Sequence, residues 1–181
     1  VWVDGPVTRA ARTGSILYLD EVAEARPDVI VALHPLTDHR RQLYVDRHSE
    51  VLNVVESFML VVSFNPRYQR GLKELKPSTR QRFVAMSFDY PKPNIERTIV
   101  AREAGVEPKI AARLVKLAGR LRGLDELGLA EPPSTRLLVD AAKLISAGLE
   151  ARLACFIAIA EPLTDDPDVL RALREIVALA F

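Results

Sequence analysis

The spacing of apolar and polar positions changes character once along the chain. Up to about residue 90 the apolar residues come in short runs and alternations, and beyond it they recur at helical spacing. Asp4-Gly5-Pro6 is a turn signal ahead of a short helical segment, Val7–Arg12, which carries Arg9 and Arg12 and is closed by Gly14. Ile16-Leu17-Tyr18-Leu19 is a compact apolar run bounded by Gly14 and by two adjacent acids, Asp20 and Glu21. It predicts a fully buried central strand. Val22, Ala25, Val29, Ala32 and Leu33 then fall at helical spacing up to about Leu36, with Pro27 tolerated near a first turn or a kink. Charges close that helix over Leu36–Arg41.

Gln42–Val55 alternates in part around a polar tip, Asp46-Arg47-His48-Ser49, and predicts a β-hairpin. Phe58–Phe64 is a second buried strand, ending at Asn65-Pro66, and Tyr68–Leu75 is a loop or short helix. Ser78 is placed to cap a helical turn holding Arg80 and Arg82, after which Phe83–Phe88 predicts a third strand. The best linker is Tyr90-Pro91-Lys92-Pro93-Asn94. Helices are expected over Ile95–Ala104, Pro108–Leu121, Ser134–Ala147 and Leu149–Ile159, and from Asp166-Pro167 onward, with the Asp as cap and the Pro in the first turn. The pattern as a whole predicts an α/β half followed by an all-helical module.

Composition narrows the function classes. A formal net charge of +1 over 181 residues argues against a generic nucleic-acid or anionic-membrane binder, which carries a basic excess or stripe. The single cysteine, Cys155, lies in an apolar run and reads as a buried core thiol of a reducing compartment. No stretch is long and apolar enough to span a bilayer and no signal peptide opens the chain, so a cytoplasmic location is expected. His34, His39 and His48 show no metal-ligand spacing.

The candidate chemistry lies at strand ends. In open α/β sheets ligands collect at the carboxyl ends of the strands, where Asp20 and Glu21 are expected. Nucleotide hydrolases use such a pair, the first acid holding Mg²⁺ through water and the second orienting the attacking water. A structural strand that happens to end in two acids has the same signature. Asn65 ends the second strand and could touch a γ-phosphate, or simply turn the chain with Pro66. Arg80 and Arg82 are suited to phosphoryl charge, and equally to a solvated surface. Arg136 follows the candidate cap Ser134 by two residues, where helix N–H groups and a cation attract the same anion. Lys109, Arg113, Lys116 and Arg120 share one helical face, which is either a contact surface or a solvated one.

The order of these features carries more than any one of them. Strand-Asp-Glu, strand-Asn, paired arginines, a linker and a helical lid with an early arginine is the order of an AAA+ ATPase. The stretches Asp4–Ala10, Tyr18–Val22, His34–Arg41, Val62–Pro66 and Ser78–Val84 resemble the CbbQ/NirQ/NorQ family of the MoxR branch. The similarity covers nearly the whole chain and is densest from Asp4 to Pro91. It implies the C-terminal half of an AAA+ P-loop core, α/β with a parallel sheet and a β-hairpin insert, followed by an all-helical lid. Residues 1–90 would form the partial core, 91–94 the linker and 95–181 the lid.

By position the resemblance implies a Walker B pair, Asp20 for Mg²⁺ and Glu21 for the catalytic water. Asn65 becomes sensor 1, Arg80 and Arg82 the arginine-finger region acting on a neighbouring subunit, and Arg136 sensor 2. Val1–Asp4 would be the tail of the helix-2 insert. The resemblance also implies ATP and Mg²⁺ as cofactors, a homo-hexameric ring, and a partner bearing a von Willebrand factor A domain. The client would be form I rubisco or nitric oxide reductase, remodelled by ATP hydrolysis. One departure stands out. No glycine in the chain is followed by Lys-Ser or Lys-Thr, so the phosphate loop is missing. The chain is therefore expected to be a C-terminal part that binds ATP poorly by itself. Two other classes remain open: a stand-alone interaction module that keeps hydrolase remnants, and a DNA-remodelling AAA+ relative.

Overall fold

The structure, a computed structural model, describes residues 3–65, 75–124 and 128–181. The chain divides into two compact units, Val1–Met86 and Ser87–Phe181. Val1 and Trp2 of the expected insert tail, Pro66 of the expected Asn-Pro turn, and all but Leu75 of the expected loop or short helix at Tyr68–Leu75 lie outside the described residues.

Prolines start most of the helices. Pro6, Pro27, Pro77, Pro93, Pro108 and Pro167 each open one, at the position where a missing N–H costs nothing and φ is already helical. In the first unit α1 spans Pro6–Thr13 and closes at Gly14, whose φ of 68° is the left-handed cap that glycine adopts without penalty. Strand β1 follows at Ile16–Leu19. The single helix expected over Val22–Leu36 is instead a 3₁₀ turn at Val22–Glu24, α2 at Pro27–Ala32 and α3 at His34–Thr37. The cause is the pair Pro27 and Pro35. Pro27 disfavours helical backbone in the residue before it, and Arg26 is extended, while Pro35 removes a ladder N–H where α2 gives way to α3.

The hairpin forms as expected. Strands β2, Gln42–Val45, and β3, Glu50–Asn53, are antiparallel, with Gln42 opposite Asn53 and Tyr44 opposite Val51. A 3₁₀ tip at Asp46–His48 joins them through Ser49, at φ 49°. One Arg41 Nη2 donates to the carbonyls of Val55, Glu56 and Phe58, which holds the loop leading into β4, Met59–Val62. Strands β1 and β4 pair in parallel, from Ile16 opposite Met59 to Leu19 opposite Val62. A core of Ala11, Leu17, Leu33, Leu36, Leu43, Val54 and Phe58 lies under one face of this sheet.

β1 was expected to be buried on both faces, and it is not. Leu17 is buried, whereas Ile16 and Tyr18, and beside them Met59 and Val61, are exposed on the opposite face. The run is apolar on both sides as in a sheet covered twice, but no described residue covers the second side. The third strand expected at Phe83–Phe88 is also absent. The segment beyond Phe83 has no regular structure and no strand partner among the described residues, and Val84 is 97% exposed. An alternating pattern becomes a strand only when a ladder is available. Between these segments α4, Pro77–Arg80, is capped through Lys76 and Pro77, and Ser78 makes no capping bond.

The second unit is helical throughout. Its helices are α5 at Pro93–Ala104, α6 at Pro108–Arg122, α7 at Thr135–Ser146, α8 at Ala151–Cys155 and α9 at Pro167–Ala180. α8 runs on through a π-turn at Phe156–Ala160. Asp166 caps α9 by accepting from the N–H groups of Asp168 and Val169. Leu114, Leu117, Leu138, Ile159 and Leu173 form the centre of its core. Cys155 is fully buried there, and burial pushes its thiol up to about 12, which leaves it an unreactive core residue. No described helix is long and apolar enough to cross a membrane.

Gly14 has no room for a side chain. Its φ is left-handed, and a Cβ there would meet the side chain of Ser57. Gly14→Ala is therefore expected to destabilise the chain by about 1–2 kcal/mol or more. Urea denaturation followed by circular dichroism checks this, and an unchanged midpoint contradicts it.

Candidate functional site

The parallel pairing of β1 and β4 brings their carboxyl ends together. Leu19 opposite Val62 is the last pair, so Asp20 and Glu21 leave the sheet beside Ser63, with Asn65 two residues further along the second strand's exit. Two backbone bonds carry the pairing past the strand ends. The Ser63 N–H donates to the Leu19 carbonyl at 3.0 Å, and the Val22 N–H to the Ser63 carbonyl at 2.9 Å.

Side chains complete the rim. The Ser63 hydroxyl donates to Asp20 Oδ1, and the Tyr18 hydroxyl donates to the same oxygen at 2.9 Å. The Glu21 N–H donates to Ser63 Oγ at 3.2 Å, and Tyr18 lies 3.1 Å from that Oγ. Glu21 has φ 48° and ψ 45°, a left-handed conformation uncommon for a residue with a Cβ. Asp20, Glu21 and Asn65 are all exposed. The rim therefore offers carboxylate, hydroxyl and amide oxygens at one open edge. Such a hard-oxygen donor set suits Mg²⁺ rather than a softer metal, and its carboxylates are those of Asp20 and Glu21. No group of three or more metal-ligating side chains occurs among the described residues.

The two arginines of the expected finger region are placed differently. Arg80 ends α4 and is exposed. Arg82 points inward and donates from Nη1 to Asp38 Oδ2 at 3.0 Å, with its side chain 28% exposed. Arg40 holds the same carboxylate through Nε and Nη2, at 3.0 and 2.6 Å. These bonds from Arg40 keep the Asp38 carboxyl well below the usual carboxylate range, against an upward push from burial, and Arg82 adds to them. α4 is seated on α3 by His34, whose Nε2 lies 3.0 Å from the hydroxyl of buried Thr79. Burial, with the Arg82 charge behind it, lowers the His34 pKa.

Arg136 occupies the first turn of α7 and is exposed. Beneath that turn lies a buried network with no signature in the local sequence. Glu96, 1% exposed, accepts two bonds from Arg122, at 2.9 and 2.8 Å, and a third at 2.7 Å from the Thr135 hydroxyl next to Arg136. Arg122 also donates to the Pro133 carbonyl and stacks on Tyr90, 3.8 Å from the ring centre. Tyr90 in turn donates to the Pro132 carbonyl. Of the basic face on α6, Arg113 is turned to the C-terminus, bonding the Ala180 carbonyl and covering Phe181, while Lys109, Lys116 and Arg120 are exposed.

A parallel strand pair ending in Asp-Glu and Asn, joined in one chain to a helical unit that carries an arginine at a helix start, is the arrangement expected of a protein of the AAA+ class. Comparison with known proteins agrees. Residues 1–83 match the family model described as AAA domain (dynein-related subfamily), and residues 96–180 match that described as CbbQ/NirQ/NorQ C-terminal. The chain is 56% identical to the denitrification regulatory protein NirQ of Pseudomonas aeruginosa, over 98% of this chain and 68% of that protein. It is 56% identical to protein NorQ of Paracoccus denitrificans, over 100% and 67%. With protein CbbQ of Hydrogenophilus thermoluteolus the identity is 52%, over 99% and 67%. The chain belongs to the CbbQ/NirQ/NorQ family of MoxR-type AAA+ proteins. It spans about two thirds of the length of these relatives.

Sequence reasoning placed the carboxylates and missed what holds them. Ser63 and Tyr18 could have been found as hydroxyls within two residues of Asn65 and Asp20. Asp38 could have been found as the one acid in the basic stretch His34–Arg41. Glu96 and Arg122 lie 26 residues apart and leave no such trace.

The Glu96 network generates a prediction of its own. Burial pushes the Glu96 carboxyl up, but the bonds from Arg122 and Thr135 outweigh it and leave its pKa below the ordinary value. A carboxylate so depressed stabilises the fold fully above its unfolded pKa of about 4.3, and that contribution is lost as pH falls through the folded value. Glu96→Ala, which strands the Arg122 guanidinium, is expected to cost about 3–5 kcal/mol at pH 7 and less in acid. Thermal melting at pH 7 and pH 3.5 reads both effects. An equal loss at the two pH values contradicts the assignment.

Proposed function

We propose that this chain is the Walker B-to-lid part of a ring-forming AAA+ ATPase that spends hydrolysis on remodelling a partner metalloenzyme. Residues 1–90 belong to the catalytic core, 91–94 are the linker, and 95–181 form the lid. The observation that carries the reading is the Asp20-Glu21 rim beside Ser63 and Asn65, in a chain more than half identical to NirQ and NorQ. Asp20 would hold Mg²⁺ and Glu21 would orient and deprotonate the attacking water. Asn65 would contact the terminal phosphate, and Arg136 would read the nucleotide from the lid. Mg·ATP supplies the phosphoryl group and the charge that these residues organise.

Arg80 and Arg82 act on the site of the next subunit, which makes the ring, a homo-hexamer in this reading, part of the catalytic unit. Arg82 would exchange its bond to Asp38 for phosphate charge, while Arg80 already faces solvent. The P. aeruginosa relative's name ties it to denitrification, which supports nitric oxide reductase as client. The similarity to a CbbQ supports rubisco. A partner with a von Willebrand factor A domain would connect ring and client.

In the intact protein expressed from its own reading frame, Glu21→Gln is expected to bind ATP and form stable rings while losing roughly a hundredfold or more in turnover. Unimpaired phosphate release by that variant removes Glu21 from the catalytic role. Rings of Arg82→Ala alone should be equally slow. Mixed with Glu21→Gln subunits they should recover part of the rate, because some interfaces then combine an intact Glu21 with an intact Arg82. Absence of recovery in the mixture argues against action in trans.

A further inference from the structure

The rim contains a hydroxyl that none of the proposed roles accounts for. Ser63 Oγ lies within hydrogen-bond distance of three groups: the Asp20 carboxylate, the Glu21 backbone N–H and the Tyr18 hydroxyl. Its own N–H and carbonyl are bonded to Leu19 and Val22, one residue before Asp20 and one after Glu21. A serine hydroxyl has one proton to give and two lone pairs to receive, and this set uses the proton and one of the lone pairs. The proton goes to Asp20 Oδ1, since an ionised carboxylate accepts only, and one lone pair receives the Glu21 N–H.

We infer that Ser63 is a positioning residue that orients both acids, fixing the Asp20 carboxylate for a divalent cation and the Glu21 backbone for its catalytic direction. The inference rests on the reading of Asp20 and Glu21 as the hydrolytic pair, and it adds a residue to that site. Three observations support it. Asp20 Oδ1 receives two hydroxyl bonds, from Ser63 and Tyr18, which fixes the rotation of the carboxylate plane on an otherwise exposed rim. Glu21 is in a left-handed conformation that costs energy for any residue with a Cβ, and the bonds at Glu21 N–H and Val22 N–H, both ending on Ser63, hold it there. Ser63 is also two residues before Asn65 on the exit of β4. Ser63 and Asn65 therefore share one short piece of backbone beside the two acids. Outer groups that hydrogen-bond a metal's carboxylate set its direction and basicity, and their loss weakens metal binding without removing a ligand.

The test is made on the intact protein, with Mg²⁺ and a non-hydrolysable ATP analogue as probes. Ser63→Ala is expected to weaken Mg²⁺-dependent binding of the analogue by roughly tenfold, with a parallel fall in kcat. Binding measured in EDTA should stay unchanged. Ser63→Thr keeps the hydroxyl on a residue that suits a strand, and should restore both. Tyr18→Phe removes one bond from an exposed ring, and should shift the Mg²⁺ requirement in the same direction by less; it also serves as the readout if Ser63→Ala does not fold. The inference is overturned if Ser63→Ala leaves Mg²⁺ dependence and kcat within twofold of the parent while Glu21→Gln abolishes turnover. It is equally overturned if binding with and without Mg²⁺ falls alike and Thr does not rescue it, which is the mark of a merely structural serine. Normal turnover by Glu21→Gln overturns the underlying reading, and the role of Ser63 with it.

Discussion

The register between β1 and β4 is the constraint on which the site depends. Side chains alternate along a strand, so sliding one strand by a residue would turn Leu17 out of the core and move Ser63 away from Asp20 together. One pairing therefore satisfies two demands, burial below the sheet and hydrogen bonding at its edge. Arg41 supports it from the far end, gathering three carbonyls of the loop that delivers β4. A guanidinium that bonds three carbonyls of one loop ties its backbone together at a single point.

The two units place their candidate cations by different physics. In the helical unit, Arg136 inherits its place from a helix start anchored by a buried acid. The glutamate is fully desolvated, and three charge-assisted bonds offset what desolvation costs. In the first unit Arg82 is held by Asp38, whose carboxylate is shared with Arg40. Two guanidinium groups thus share one carboxylate, and Arg40 holds it through more bonds than Arg82 does. Arg80, at the exposed end of a four-residue helix, has no comparable anchor in its surroundings on α4.

Much of the architecture could be read from punctuation. Gly14, the helix-opening prolines, the Asp166 cap and the polar hairpin tip each act through local backbone preference, and local preference is what a sequence displays. The failures have two causes, a local proline signal outweighed by apolar spacing and partners that lie elsewhere in the fold. The Val22–Leu36 helix was read from apolar spacing while the backbone obeyed Pro27 and Pro35. The strand at Phe83–Phe88 was read from alternation, yet a strand is a property of two segments and the second is not among the described residues. Ser63 and Glu96 were missed for the same reason. A serine after an apolar run reads as a solvated end, and a glutamate in a first helical turn reads as a dipole partner, until the groups that meet them across the fold are in view.

Glu21 shows why such support is needed. Glycine or asparagine would take its left-handed backbone at less cost, but neither carries the carboxylate that the proposed chemistry requires. A glutamate with φ 48° costs on the order of 1–2 kcal/mol relative to a relaxed residue. Two backbone N–H bonds to Ser63, each contributing about 1 kcal/mol, are of the size needed to offset it. The conformation of the acid is therefore set by a residue on the neighbouring strand, and Glu21's own preference opposes it. That support comes from the exit of β4, the same segment that carries Asn65.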